Sequence, residues 1–227
     1  MLYYFTINTS VELICFIVAL VCLYNQPDKP WKNLILFMFI IVLAEFTGRY
    51  VKKIFLQDMV HNLSNAWVYN TLLIAQALFF SLHFKYLLGR NTNSKPLFYA
   101  GLAIIALLYF YELHAHGFFV YNNATYTVLL VQLMCYSLYF YYHLLKDEVY
   151  IDLKKSASFW WVTGILFFCF GTIISSLFRD KLAPILLTSK TPLTAYIYNA
   201  LNIILYSCWS YSFICKKWQT STSKSLY

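Results

Sequence analysis

Residues Thr191–Cys215 read TPLTAYIYNALNIILYSCWSYSFIC, 25 consecutive positions without Asp, Glu, Lys, Arg or His. Ser156–Phe178 reads SASFWWVTGILFFCFGTIISSLF, a second such stretch of 23. A helix of a soluble domain needs a polar face for water, and neither stretch supplies a charged one. A helix crossing about 30 Å of hydrocarbon instead needs roughly 20 apolar residues. The two stretches therefore place the chain in a membrane.

Composition agrees. The 227 residues are 61% hydrophobic and 11% charged, against roughly 25% charged in soluble proteins. The net charge of +8 would suggest nucleic acid in a soluble domain. Here the basic residues fall between apolar runs, where they set orientation, so nucleic acid is not an expected partner. Met1–Val11 carries no Lys or Arg before its apolar stretch, unlike a secretory signal, so the first span is expected to be retained.

The fold class expected is all-α, a polytopic bundle of seven transmembrane helices. The runs are Phe5–Leu23, Asn33–Val51, Trp67–Leu88, Leu97–Leu113, Tyr126–Leu145, Phe159–Phe178 and Ala195–Ile214. Turn and charge signals separate them: Asn25-Gln26-Pro27-Asp28, Gly89-Arg90-Asn91, Lys146-Asp147-Glu148 and Arg179-Asp180-Lys181. Pro96 fits the first turn of the fourth helix, where its missing N–H costs little. None of the runs alternates as a barrel strand does.

Eleven Lys and Arg fall on the side of the first, third and fifth loops and the tail, and six on the other. By the positive-inside rule the N-terminus is outside and the C-terminus cytoplasmic. Trp31, Trp67, Trp160, Trp161 and Trp218 fall near the expected interfaces. Residues 1–215 are read as the transmembrane domain and 216–227 as a short basic cytoplasmic tail lying on an anionic leaflet. Cys15, Cys22, Cys135, Cys169, Cys208 and Cys215 all lie in apolar runs and read as small buried hydrophobes.

Polar groups inside the hydrocarbon are costly and usually face the bundle interior. Glu12 lies in the first span; Glu45 and Arg49 lie in the second at i,i+4, with the acid first, the favourable order. They are read either as an ion pair locking two helices or as a site in which a carboxyl binds a cation or proton, or Arg49 an anion. In the seventh span Asn199, Asn202, Tyr206 and Ser210 make one edge; Tyr69, Gln76 and His83 align in the third, and Gln132, Tyr136, Tyr139 and His143 in the fifth. Glu12, Glu45, Arg49, Asn70, Asn199 and Asn202 all fall in the expected outer half. They are the candidate ligand-binding residues of a polar pocket. Gly164, Gly171 and Ser175 share a face of the sixth span and read as helix packing.

Metal and cofactor readings are weaker, and no cofactor or metal is expected. His83 and His143 could in principle face a haem as axial ligands. Glu112 and His116 are i,i+4 and could share a metal, although an outer-surface loop explains them as well. The last span has no Lys for retinal, the acid-Arg-aromatic and Asn-Pro-x-x-Tyr signals of eukaryotic seven-helix receptors are missing, and all five Asp lie in loops, unlike the intramembrane aspartates of lysoplasmalogenase-like hydrolases. Gly-x-Ser-x-Gly, His-Glu-x-x-His and Walker patterns do not occur. Asn8, Asn62 and Asn123 head Asn-x-Ser/Thr sequons on the expected outer side.

Glu45-Phe46-Thr47-Gly48-Arg49-Tyr50, Trp67-Val68-Tyr69-Asn70, Gly164-Ile165-Leu166-Phe167-Phe168 and Leu201-Asn202-Ile203-Ile204-Leu205-Tyr206 resemble elements of an uncharacterised seven-helix inner-membrane protein family of Bacteroidota-like bacteria. The resemblance covers most of the chain and implies fold and location, not activity. The arrangement is also similar to seven-helix sensor modules joined to histidine kinases. The function expected is a non-enzymatic module that senses a small ligand or serves as an accessory subunit, surrounded by lipid, with a membrane-protein partner or a second copy of itself. A proton-coupled transporter or channel, and then a lipid-acting enzyme, are the alternatives.

Overall fold

The structure is a computed structural model that describes residues 6–57, 64–89, 95–146, 152–182, 185 and 192–224. Phe5, Asn62, Arg90-Asn91, Asp147-Glu148 and Lys190, all used in the sequence reading, lie outside the described residues.

The described chain is helical: α1 (Ile7–Leu23), α2 (Lys29–Gln57), α3 (Ala66–Leu88), α4 (Lys95–His116), α5 (Asn123–Lys146), α6 (Ala157–Leu177), the single turn α7 (Arg179–Leu182) and α8 (Leu193–Lys224), with a 3₁₀ turn at Leu153–Lys155. Seven long helices therefore answer to the seven expected runs. Five of them, α2 to α6, are long and apolar enough to cross a membrane. α1 is a shorter apolar helix of 17 residues. In α8 the Asn, Tyr and Ser residues, with Lys216, Lys217 and Lys224 near its end, lower the hydropathy.

Side-chain caps mark the boundaries. Thr6 Oγ1 accepts from the Thr9 amide ahead of α1, and Ser156 Oγ from the Phe159 amide ahead of α6. Each answers an amide that the first helical turn leaves unbonded. α4 ends where Gly117, at φ +79°, turns the chain into the next loop.

α2 and α8 outrun their expected spans the furthest. α2 runs from Lys29 to Gln57 rather than from Asn33 to Val51, and α8 continues past Ile214 to Lys224. Charges at Lys29, Lys32, Lys216 and Lys217 delimit the apolar runs but do not stop a helix, because backbone hydrogen bonding is indifferent to them. The extension of α8 is held by tertiary contacts. Lys216 pairs with Asp28, Thr220 Oγ1 donates to Gln26 Oε1 at 2.6 Å, and Gln219 Nε2 to the Lys155 carbonyl at 2.9 Å. The boundary drawn at residue 216 thus falls inside a helix. At roughly 48 Å by 1.5 Å per residue, α8 is longer than the hydrocarbon core.

The helices close a ring. α1 packs on α2 and α8, α8 on α6, α6 on α5, α5 on α3, and α3 on α2. α4 lies outside this ring of six, against α3 and α5. The α6–α8 contact is the most extensive, and Gly164 explains its closeness: a Cβ there would meet Cys208 Cβ at 3.0 Å and the Leu205 carbonyl at 3.2 Å. Small residues permit such backbone approach between membrane helices.

Outward faces are apolar on every long helix. Ile14, Leu43, Leu82, Leu107, Phe110, Leu138, Phe167 and Ile204 are all exposed. A belt of this kind around a helical bundle is what lipid, not water, requires. Inside, at the level of the C-terminal end of α3, the core is aromatic. Phe37, Phe84, Trp31, Trp161 and Trp209 are buried, with Trp161 and Trp209 stacked at 6.0 Å. Trp31 and Trp161 are therefore core residues, not interfacial ones; the helices that carry them turn the indoles toward α3 and α8. Trp218 is exposed as expected. All six cysteines are free; Cys15, Cys169 and Cys215 are buried as expected, Cys22 and Cys208 are half-buried and Cys135 is exposed.

Candidate functional site

The ring encloses a cavity of about 180 Å³. Every helix of the ring contributes to its wall: Glu12 from α1, Ile41 and Glu45 from α2, Tyr69, Gln76 and Phe80 from α3, Tyr126 and Leu130 from α5, Ile165 and Phe168 from α6, and Asn202, Tyr206 and Trp209 from α8, among others. α4 contributes nothing, in keeping with its place outside. The polar groups gather toward the side where α1, α3, α5 and α8 begin. Phe80, Leu133 and Trp209 lie deeper along α3, α5 and α8, and the aromatic core continues below them.

Two carboxyl groups define the polar end. Glu45 is fully engaged. Arg49 Nε donates to Glu45 Oε1 at 2.9 Å, the Tyr69 hydroxyl donates to Glu45 Oε2 at 3.2 Å, and Arg49 Nη2 also reaches Thr6 Oγ1 at 2.8 Å. The pair is mostly shielded, with side chains 22% and 16% exposed for Arg49 and Glu45. Thr6 precedes α1, so Arg49 ties α2 to the start of α1 as well as holding Glu45. Tyr69 finds room because it faces Gly48, where any side chain would collide with its phenol ring.

Glu12 is different. It is 7% exposed, Tyr206 OH donates to its Oε1 at 3.4 Å, and its Oε2 has no hydrogen-bond partner among the described residues. It receives neither Arg49 nor any other cation within salt-bridge distance among the described residues. Of the two acids, Glu45 and not Glu12 takes the ion pair with Arg49.

Of the six candidate residues, Glu12, Glu45 and Asn202 line the cavity, and Arg49 stands behind Glu45. Asn70 and Asn199 are not in the wall. Asn70 is fully buried and holds the loop after α4: its Nδ2 donates to the Phe118 and Val120 carbonyls at 3.3 and 2.8 Å, and its Oδ1 accepts from the Asn122 amide at 3.1 Å. All three of these hydrogen bonds go to backbone. In that loop burial pushes the Tyr121 phenol above its ordinary pKa, so Tyr121 is neutral where its ring meets Tyr126 of the cavity wall at 5.8 Å.

The aligned stripes divide in the same way. Tyr69 and Gln76 face the cavity, while His83 sits below it in the aromatic core, 4.3 Å from Trp161 and 5.2 Å from Trp31. Gln132 and Tyr136 on α5 bond to each other at 2.8 Å and meet α4 at Gly101. His143 packs on Tyr139 at 4.5 Å. Among the described residues no three His, Cys, Asp or Glu gather as a metal cluster. Glu112 has another role. Its carboxylate accepts from the Ala124 and Thr125 amides at 2.9 and 2.8 Å and from Thr125 Oγ1 at 2.6 Å. It thereby caps α5 from the neighbouring helix, with a negative charge at the positive end of the helix dipole. The spacing of Glu112 and His116 gave no hint of this, because the partner amides lie on the next helix.

A helical ring with a lipid-type exterior, a polar-lined interior cavity and five helices fit to cross a bilayer defines a multi-pass integral membrane protein. No protein-family model, curated protein or solved structure matches the chain. The family resemblance drawn from its motifs gains no support from these comparisons, and the class rests on the fold.

Proposed function

We propose that all seven long helices span the membrane, with the N-terminus outside and the C-terminus cytoplasmic, and that the protein binds a small ligand in the central cavity as a sensing or accessory module. The observation that carries this reading is the convergence of Glu12, Glu45, Tyr69, Gln76, Asn202 and Tyr206 on one cavity from four helices. Helix packing alone does not require such a gathering; pairwise contacts would distribute these groups between neighbours. A concave site with an apolar body and a few convergent polar groups is the usual form of a small-molecule site. In the proposed orientation its polar end lies toward the outside of a bacterial inner membrane. The exposed apolar belt is available to lipid, to a membrane-protein partner or to a second copy of the chain.

Two experiments test the proposal. For orientation, Asn123→Cys on intact cells should react with a membrane-impermeant maleimide, and Lys217→Cys only after permeabilisation; the reverse pattern inverts the topology. For the site, thermal-shift screening of the purified protein against small cationic, neutral and anionic aromatics should find stabilising compounds whose effect Leu130→Trp removes by filling the cavity. If no compound of any class stabilises the protein, or if Leu130→Trp leaves the effect intact, the cavity is not a binding site.

The second reading is carriage of a proton or cation. It is favoured by the placement of the Glu12 carboxyl in the cavity wall without a basic partner within salt-bridge distance among the described residues. Uptake in proteoliposomes that depends on Glu45 and Glu12 would support it. The aromatic packing of Phe80, Trp161 and Trp209 beneath the cavity means a second conformation is needed to complete any path.

A further inference from the structure

We infer that the ligand of the central cavity is a small organic cation, an ammonium group on a single-ring or branched aliphatic body, with Glu12 as its counter-ion. The inference rests on the reading of the cavity as a binding site. Among the described residues the cavity wall carries two carboxyl side chains, Glu12 and Glu45, and no Lys, Arg or His. Arg49 does not compensate for both, because its guanidinium is spent on Glu45 and on Thr6. Glu45 is thus answered by a cation within the protein, whereas Glu12 receives only the Tyr206 hydroxyl among the described residues. Its Oε2 is buried in the wall with no partner among the described residues. A buried oxygen of this kind is costly until a donor reaches it, and a charged donor satisfies it best.

The remaining wall selects among cations. Tyr69, Phe80, Tyr126, Phe168, Tyr206 and Trp209 supply aromatic rings, and ring faces attract ammonium groups. A hard metal ion wants roughly six or more oxygen ligands. The non-phenolic oxygens in the wall belong to only four side chains, Glu12, Glu45, Gln76 and Asn202, one of which is already bound to Arg49. The volume of about 180 Å³ is comparable to the roughly 150 Å³ of a cavity that accepts benzene. It suits a ligand of one ring. An anion would meet two carboxyl groups and no lining cation, and a neutral ligand without a donor would leave Glu12 unanswered.

Isothermal titration of the purified full-length protein with benzylammonium, benzyl alcohol and benzoate tests this. The three probes share one ring and differ in charge. Benzylammonium should bind at least about 10-fold tighter than benzyl alcohol, with benzoate weakest, an advantage of the size that charge pairing and ring contact supply. Glu12→Gln should reduce that preference to within about 2-fold, and Glu12→Asp should retain it. Equal binding of all three probes, abolished by Leu130→Trp, would overturn the cation assignment and leave the site standing. Binding of none of them, or binding indifferent to Leu130→Trp, would overturn both. If Glu12→Gln does not fold, Tyr126→Leu decides: benzylammonium should lose several-fold more affinity than benzyl alcohol, and equal losses count against the cation.

Discussion

Glu12 on α1 and Tyr206 on α8 stand 194 positions apart in sequence and meet at 3.4 Å in the wall of one cavity. The contact closes the helical ring, since α8 returns beside α1. The second oxygen of Glu12 is buried without a partner among the described residues. Tyr206→Phe should therefore alter the site more than the fold. The expected result is a loss of about 1 kcal/mol in stability, the low end for a buried acceptor left unpaired because the 3.4 Å bond is long, with a clear change in benzylammonium affinity. Chemical denaturation in detergent and calorimetric titration measure the two separately.

Arg49 should matter most for stability. Its removal strands Glu45 in a mostly shielded position and unties Thr6 from α2. Arg49→Ala is expected to cost about 3 kcal/mol, as for other broken buried pairs. Arg49→Lys should recover only part of this, because one ammonium cannot copy the two nitrogens that hold Glu45 and Thr6. An unchanged denaturation midpoint in Arg49→Ala would show that the pair does not lock the helices.

Asn70 separates structure from binding. Asn70→Ala removes three hydrogen bonds to the backbone of residues 118–122. The expected cost is about 2 kcal/mol for the buried groups left unpaired, with faster amide exchange confined to that loop. Probe affinity should change little, since Asn70 is not in the cavity wall. A selective loss of affinity with normal exchange would return Asn70 to the binding site.

Glu112 should behave as a cap. Glu112→Ala leaves the Ala124 and Thr125 amides without their acceptor, at an expected cost of about 1 to 2 kcal/mol. Zinc added to the wild-type protein should not raise its melting temperature. Zinc-dependent stabilisation lost in Glu112→Ala and His116→Ala would instead establish a metal site.

The closeness of α6 and α8 makes Gly164 sensitive to size. Gly164→Leu has to push aside Cys208 and the Leu205 backbone. Overpacking of this kind should lower stability by about 1 to 3 kcal/mol. Gly164→Ala, with contacts at 3.0 Å to Cys208 Cβ and 3.2 Å to the Leu205 carbonyl to relieve, should cost less. Equal melting temperatures for all three proteins would mean that the two helices are not packed through this glycine.

The membrane class, the number of long helices and most of the polar residues of the cavity were legible in the chain alone. Long uncharged runs such as 156–178 have no stable solution in water. Helical spacing places Asn202 beside Tyr206, and Tyr69 in line with Gln76. Helix ends were less legible: Lys29, Lys216 and Lys217 end apolar runs without ending helices. Tertiary structure decided which helices meet, and with that the meaning of each polar group. Arg49 lies one turn from Glu45 in any helix, but only the position of α1 gives it Thr6 and keeps it from Glu12. Asn70 and Asn202 look alike in a span, yet one is consumed by the loop after α4 and the other faces the cavity. Periodicity reports which face of a helix is polar. It carries no information about what stands opposite that face, because the partners arrive from helices up to 194 residues away.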